Sequence, residues 1–243
     1  MKLFDPDPQL RWLFCMCHPD DEISICCWIR RLVQLGAEVY MSWTHHTEVR
    51  AREARYVAKW LGVAETHLFF HNGRDGRICE EMPDLVQGYQ EMVRAVRPDV
   101  IACGAFEQGH LDHDATNLLV NRVFSGRVLE IPFYHTYLNR RPLVNRFADS
   151  TGEEILELTE DEQCFKVKFA KSYPSQAIYR NLVLDEIRRR IMRNPDRPLK
   201  ATERMRHQTH FDYLTPNLPP RLAAKVVKSE NWQRWQRAVR DFA

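Results

Sequence analysis

Between Arg11 and Cys17 the chain is almost wholly apolar (RWLFCMC). Beyond the polar stretch that follows, apolar residues recur three and four apart at Ile23, Cys26, Cys27, Ile29, Leu32, Val33 and Leu35, and Gly36 closes the series. A short apolar run predicts a buried strand, the three-and-four spacing predicts an amphipathic helix, and the glycine marks its end. The unit then repeats. Glu38 to Thr44 is rich in strand formers and leads into a segment with Val49, Ala54, Val57, Ala58 and Leu61 on one side, stopped by Gly62. The pattern further predicts a strand over Thr66 to Phe70, a helix over Pro83 to Val96, a strand over Asp99 to Ala105 and a helix from about His113 to Phe124. Strands and helices alternating at this rhythm imply right-handed crossovers and an α/β fold: a Rossmann-like, mainly parallel sheet with helices on both faces. In such sheets ligands collect at the carboxyl ends of the strands.

Past Ile131 the alternation weakens. PFYHTYL and Glu154 to Leu158 read as edge or antiparallel strands, Asp161 to Arg193 as mostly helical, and NPDRP as a helix stop. The proline-broken tail is expected to wrap the surface before a last short helix carrying Trp232 and Trp235. The reading is one domain, with a core at about 9–138 and a smaller C-terminal α+β elaboration over about 139–243.

A length of 243 residues with 44% hydrophobic content supports one domain with a real core. Lys plus Arg (35) nearly balance Asp plus Glu (33), so no overall field recruits nucleic acid or an anionic membrane. The basic run Arg188, Arg189, Arg190 and Arg193, with Ile187 and Ile191 four apart, reads as the solvated side of a half-buried helix. The seven cysteines form no C-x-x-C pair and sit mostly in apolar runs, which points to a reducing compartment. Asp5, Pro6, Asp7 and Pro8 interrupt any N-terminal secretory pattern, and no stretch is long and apolar enough to span a bilayer, so a soluble, cytoplasmic protein is expected. Dinucleotide, P-loop and G-x-S-x-G motifs are missing.

The candidate chemistry lies in two clusters. CHPDDE (Cys17 to Glu22) follows the first strand, and GHLDHD (Gly109 to Asp114) follows the fourth. Pro19 and the acids behind it make a good helix start, which accounts for the carboxylates but not for His18. Two such clusters meeting at one sheet edge offer imidazole nitrogen and carboxylate oxygen to a divalent cation, with zinc or iron(II) suited to the set. Cys15 and Cys17, on one face of the first strand, read as core thiols.

HPDDE after strand one, G-H-x-D-H after strand four, and Arg50-x-x-Glu53 before a helix ending Leu61-Gly62-Val63 resemble the PIG-L/LmbE family of metal-dependent N-acetylglucosaminyl deacetylases. Tyr173-Pro174-Ser175-Gln176 resembles that family's late H-x-S-Q stretch, and Phe211-Asp212-Tyr213 a tail of many bacterial members. The resemblance implies His18, Asp21 and His113 as metal ligands, with Zn2+ or another divalent ion such as Fe2+. It also implies Asp20 as general base toward a water activated by the cation, and Arg50 and Asp75 as substrate contacts. His110 is the candidate oxyanion donor, with Asp112 as its orienting partner, and His45 and His46 lie near the same rim. Tyr134, His135 and Tyr137 are candidate stacking residues for a sugar. The implied reaction removes acetyl from an N-acetylated amino sugar conjugate; the alternatives are cleavage of a larger acyl amide, or sugar binding without turnover. Two departures, Gln108 where some members have tyrosine and Tyr173 where the late motif has histidine, bear on substrate preference.

Overall fold

The first apolar run becomes β1 (Arg11–Met16), and its alternation distributes the core: Trp12, Phe14 and Met16 pack on one face of the sheet, Leu13 and Cys15 on the other, with Cys17 just beyond the strand on that second side. The structure is a computed structural model and describes residues 2–135, 143–176, 178–192 and 198–242. After β1 come a 3-10 turn (Asp21–Ser24), α1 (Cys26–Gln34), β2 (Glu38–His45), α2 (Glu48–Leu61), β3 (Leu68–Gly73), α3 (Ile78–Val96), β4 (Val100–Gly104), α4 (Leu111–Val123) and β5 (Arg127–Ile131). The rest comprises β6 (Tyr134–His135), β7 (Leu143–Val144), β8 (Glu154–Glu157), α5 (Glu160–Lys171), α6 (Ile178–Met192), β9 (Thr202–His207), α7 (Pro220–Val226) and α8 (Glu230–Phe242).

The sheet runs β3-β2-β1-β4-β5-β9-β8, parallel from β3 through β5, with β9 antiparallel to both of its neighbours. Because β1 leads to β2 on one side and the chain later returns to β4 on the other, the connections leaving β1 and β4 diverge. That switch point opens a crevice above their carboxyl ends. The elements flanking it are well terminated: Thr47 caps α2 by accepting from the Arg50 N–H, and Gly62, at φ 84°, ends that helix where a side chain would be strained. At Gly104, the last residue of β4, an added Cβ would stand 2.9 Å from the Phe133 ring, so glycine is required where β4 passes beneath the crevice.

Several expectations are revised. Helix α3 starts ahead of Pro83, which lies inside it; its first residue is anchored by a side chain from α4, as Asp112 Oδ1 accepts the Ile78 N–H at 3.2 Å. Strand β3 starts and ends later than expected, after a short 3-10 turn at Glu65–His67. Strand β5 was not anticipated. The largest correction concerns the tail: instead of wrapping the surface, residues 202–207 form β9 inside the sheet, and Thr202 to Arg206 are buried. Its charged residues find internal partners. Glu203 meets Lys166 Nζ at 3.0 Å, Arg204 meets Glu153 at 2.9 Å, and Arg206 meets Glu130 at 2.6 Å and Glu107 at 3.2 Å. Trp232 and Trp235 are buried on α8, which packs against α3. Ile187 is exposed rather than half-buried; Arg193 and the side chains of Arg188, Arg189, Arg190 and Ile191 lie outside the described residues. No helix among the described residues is long and apolar enough to cross a membrane.

Candidate active site

The turn after β1 is organised by Asp21. Its Oδ2 accepts the backbone N–H groups of Cys17 (3.0 Å) and His18 (2.8 Å), folding the loop back over the strand end. Its Oδ1 faces His113 Nε2 at 3.5 Å, while His18 Nδ1 lies 3.9 Å from Oδ2 and the two imidazole centroids are 5.5 Å apart. These separations are long for hydrogen bonds. The 3.5 Å between Asp21 Oδ1 and His113 Nε2 is close to what two ligands show on one ion, since donors about 2.0–2.1 Å from a tetrahedral cation stand about 3.3 Å from each other. All three side chains are buried.

The charge balance points the same way. Asp21 and Glu22 are buried beside half-buried Asp20. Burial, with the neighbouring Asp21 charge, pushes the Asp20 carboxyl up to about 8. Burial also raises Asp21, and brings Glu22 up to about 7. Carboxyls hindered from ionising by burial and by each other form a donor set that a cation relieves. The residues present therefore fit a divalent ion held by His18, Asp21 and His113.

Asp20 itself has φ 128°, a conformation costly for a residue with a side chain. Two partners hold it there. Glu22 Oε2 accepts the Asp20 N–H at 2.7 Å, and Arg50 Nη2 donates to Asp20 Oδ1 at 3.2 Å and to the Pro19 carbonyl at 3.0 Å. Glu22 is fixed in turn by the Trp43 indole N–H (3.0 Å) and the Tyr173 hydroxyl (2.7 Å), both donating to Oε1. Ser175 donates its backbone N–H to Glu53 Oε1 at 3.0 Å and its hydroxyl to Oε2 at 2.5 Å. The late motif thus docks on the first two motifs, and Tyr173 serves Glu22 from inside the protein.

In the second cluster His110 caps α4. Its Nδ1 accepts the Asp112 backbone N–H at 3.3 Å, which places the ring proton on Nε2. The ring stacks 4.6 Å from His113 and lies 5.5 Å from His18; burial and the His18 charge lower its pKa, favouring neutral imidazole. Asp112 does not take the expected place beside His110. Its carboxylate accepts the N–H groups of Gly76 (2.6 Å) and Ile78 (3.2 Å) and faces His18 Nε2 at 3.6 Å, because the start of α3 supplies the nearer donors. Asp75, exposed at the rim, comes within 3.3 Å of His18 Nε2, and that contact lowers its pKa. Gln108 accepts the Asn217 N–H at 2.8 Å, tying it to the C-terminal tail. His45 Nδ1 pairs with the Gly73 carbonyl at 2.7 Å, and His46 Nδ1 with the His71 carbonyl at 3.0 Å.

Above these groups lies a cleft of about 330 Å3. Its polar lining comprises His18, Asp20, Asp21, Ser24, Arg50, Asp75, His110, His113 and Gln176; its apolar lining comprises Ile23, Tyr134, Val144, Ile178 and Leu199. Tyr134 thus reaches the cleft; Tyr137 and the side chain of His135 lie outside the described residues. Of the apolar lining, Tyr134 was visible in the sequence, whereas Val144, Ile178 and Leu199 went unread, for they come from separate later elements with no shared spacing. Gln176 was visible as the end of the late motif.

Residues 13–124 match the profile of a family described as PIG-L, GlcNAc-PI de-N-acetylase. No curated protein matches the chain. Among solved structures, a triple mutant of Orf2, a deacetylase of the teicoplanin biosynthetic pathway, superposes with a TM-score of 0.62 at 14% identity, covering 83% of this chain and 99% of that one. A zinc-inhibited form of Orf2 superposes with 0.59 at 13% identity, with the same coverage of 83% and 99%. The N,N'-diacetylchitobiose deacetylase of Pyrococcus horikoshii gives 0.57 at 17% identity, covering 85% and 89%. The 4-carboxy-2-hydroxymuconate hydratase GalB of Pseudomonas putida KT2440 gives 0.52 at 13% identity, covering 86% and 100%. At such identities the likeness is one of fold, and the hydratase shows that the fold by itself does not fix the reaction.

Proposed function

We propose, from the premise that residues 13–124 belong to the PIG-L family, that the protein is a metal-dependent hydrolase that removes acetyl from an N-acetylated amino sugar conjugate. The observation that carries the reading is the convergence of His18, Asp21 and His113 at the switch point of the sheet, with the Asp20 carboxylate beside them. A divalent cation, with zinc the first choice, would be held by His18, Asp21 and His113 and would supply Lewis acidity toward a carbonyl and a water.

The chain's own groups do the rest. Asp20 accepts the proton of the attacking water and delivers it to the departing amine nitrogen, so that amide and water become acetate and free amine. Its strained backbone, held by Glu22 and Arg50, aims the carboxylate into the cleft. His110, with its proton on Nε2, donates to the oxyanion of the tetrahedral intermediate. Arg50 lines the cleft while its Nη2 is engaged on the loop, and its guanidinium is the candidate donor to a sugar hydroxyl. Asp75 offers an exposed carboxylate oxygen at the rim.

The test is amine and acetate release from a panel of N-acetylglucosaminyl conjugates by wild type and Asp20→Asn. The substitution should retain metal and lose at least about a hundredfold in kcat; full activity with metal bound would refute the base assignment. The apolar wall favours one second reading, a substrate with a bulkier acyl group, and comparing release of acetate with that of longer acids separates the two.

A further inference from the structure

We propose that Asp75 is a positioning residue for the metal centre: it accepts the Nε2 proton of His18 and so leaves the ring's lone pair on Nδ1, the nitrogen on the side of Asp21. The inference rests on the metal-centre reading above and adds to it a partner that touches the ligand and not the ion. His18 Nδ1 lies 3.9 Å from Asp21 Oδ2, whereas Nε2 faces a different set of groups: Asp75 Oδ1 at 3.3 Å, Asp112 Oδ2 at 3.6 Å and Cys17 Sγ at 3.8 Å. The first of these is at the edge of hydrogen-bond range. Asp112 Oδ2 already accepts the Gly76 N–H at 2.6 Å, and a thiol is a weak partner. An imidazole that gives its ring proton to a carboxylate on one side is held in one tautomer and orientation and presents a more basic nitrogen on the other.

Although its side chain is exposed, Asp75 stands on a turn whose backbone is tightly anchored. The Arg77 N–H donates to the Arg74 carbonyl at 2.9 Å, and Gly76, third in that turn, takes φ 74°, which leaves Asp75 at the second position. Gly76 is then held from two other elements: its N–H by Asp112 of α4, and its carbonyl by Arg234 of α8, which also pairs with Glu80. Two residues on, Ile78 gives its N–H to Asp112 Oδ1 at 3.2 Å. A contact for a sugar hydroxyl needs only reach, whereas a carboxylate that orients a buried ring needs its backbone fixed, and the side chains from α4 and α8 provide that. Asp112 thus acts on the His18 ring at one remove, by placing the turn. His18 engages one oxygen of Asp75, so the substrate contact at the rim falls to the other.

The experiment measures the zinc affinity of the whole protein by chelator competition for wild type, Asp75→Ala and Asp75→Asn. Asp75→Ala should bind zinc about ten- to a hundredfold more weakly. Asp75→Asn keeps an acceptor oxygen and loses the charge, and should recover part of that loss; circular dichroism should show the wild-type fold in both variants. Unchanged zinc affinity in Asp75→Ala, whatever its KM, would overturn the positioning role and leave the metal centre standing. Equal losses in the two variants would assign the effect to charge alone and overturn that role as well. A wild type that takes up no zinc would remove the metal centre and this inference together.

Discussion

Helix α1 begins directly after the 3-10 turn at Asp21–Ser24, and its cap residue, Ile25, has no side chain with which to satisfy the first amide groups. Glu203 does so from β9: Oε1 accepts the Cys27 N–H at 2.9 Å, Oε2 the Trp28 N–H at 2.8 Å, and Lys166 Nζ approaches Oε1 at 3.0 Å, with both charged side chains at 0% exposure. Glu203→Gln keeps the shape but offers one acceptor oxygen and no charge. One buried N–H then loses its partner, at about 1–3 kcal/mol. The Lys166 ammonium keeps the Thr202 carbonyl at 3.3 Å but loses its counter-charge, and breaking a buried ion pair from one side costs about 3–5 kcal/mol. The combined loss should be about 4 kcal/mol or more, a large share of the roughly 5–15 kcal/mol by which a domain is stable. Lys166→Met leaves Glu203 with its two N–H donors at the positive end of α1 and should cost less, about 2 kcal/mol. The double variant should then be more stable than the sum of the single losses, with a coupling of about 1–3 kcal/mol. Urea unfolding followed by circular dichroism measures all three. A loss below about 1 kcal/mol for Glu203→Gln, or strict additivity in the double variant, would refute the reasoning.

Two further perturbations probe other parts of the structure. His71 stacks on Tyr89 with its Nε2 shut off from water, and burial, helped by the His46 charge, holds it down at about 4. Its neutral form is favoured in the fold, so its contribution, at most about 3 kcal/mol, is complete above the ordinary histidine value of about 6.5 and is lost as pH falls toward 4; unfolding free energies measured across that window should slope less in His71→Phe. Tyr173→Phe removes the hydroxyl that holds Glu22, and should cost about 1–2 kcal/mol and lower kcat with KM little changed, with part of kcat returning in Tyr173→His; steady-state kinetics that leave kcat untouched would show that Glu22 holds Asp20 without it.

The half of the chain that could be read in advance is the half in which burial and apolar pattern coincide. Strands β1, β2 and β4 and helices α1 and α2 follow their hydrophobic spacing, and both loops rich in histidine and aspartate fall at strand ends as the alternation implies. Strand β9 was illegible because TERMRH is polar by composition and becomes interior through pairing with residues elsewhere in the chain. The same holds for Asp112, whose partners at Gly76 and Ile78 lie at the start of α3. Spacing reports which face a residue takes; the company a buried polar group keeps is decided by tertiary packing.

The inserted strand β9 ties the two halves of the molecule to one fate. A fragment excised at 13–124 would carry every side chain of the cleft's polar lining except Gln176, yet it would lack the carboxylate that seats α1, the tyrosine that steadies Glu22, and the strands that cover the outer edge of β4. The segment that carries most of the cleft's polar lining therefore draws structural support from the C-terminal half of the chain. The loop after β1 is set, in part, by residues synthesised more than a hundred positions later, as the contact between Glu22 and Tyr173 across 151 positions illustrates.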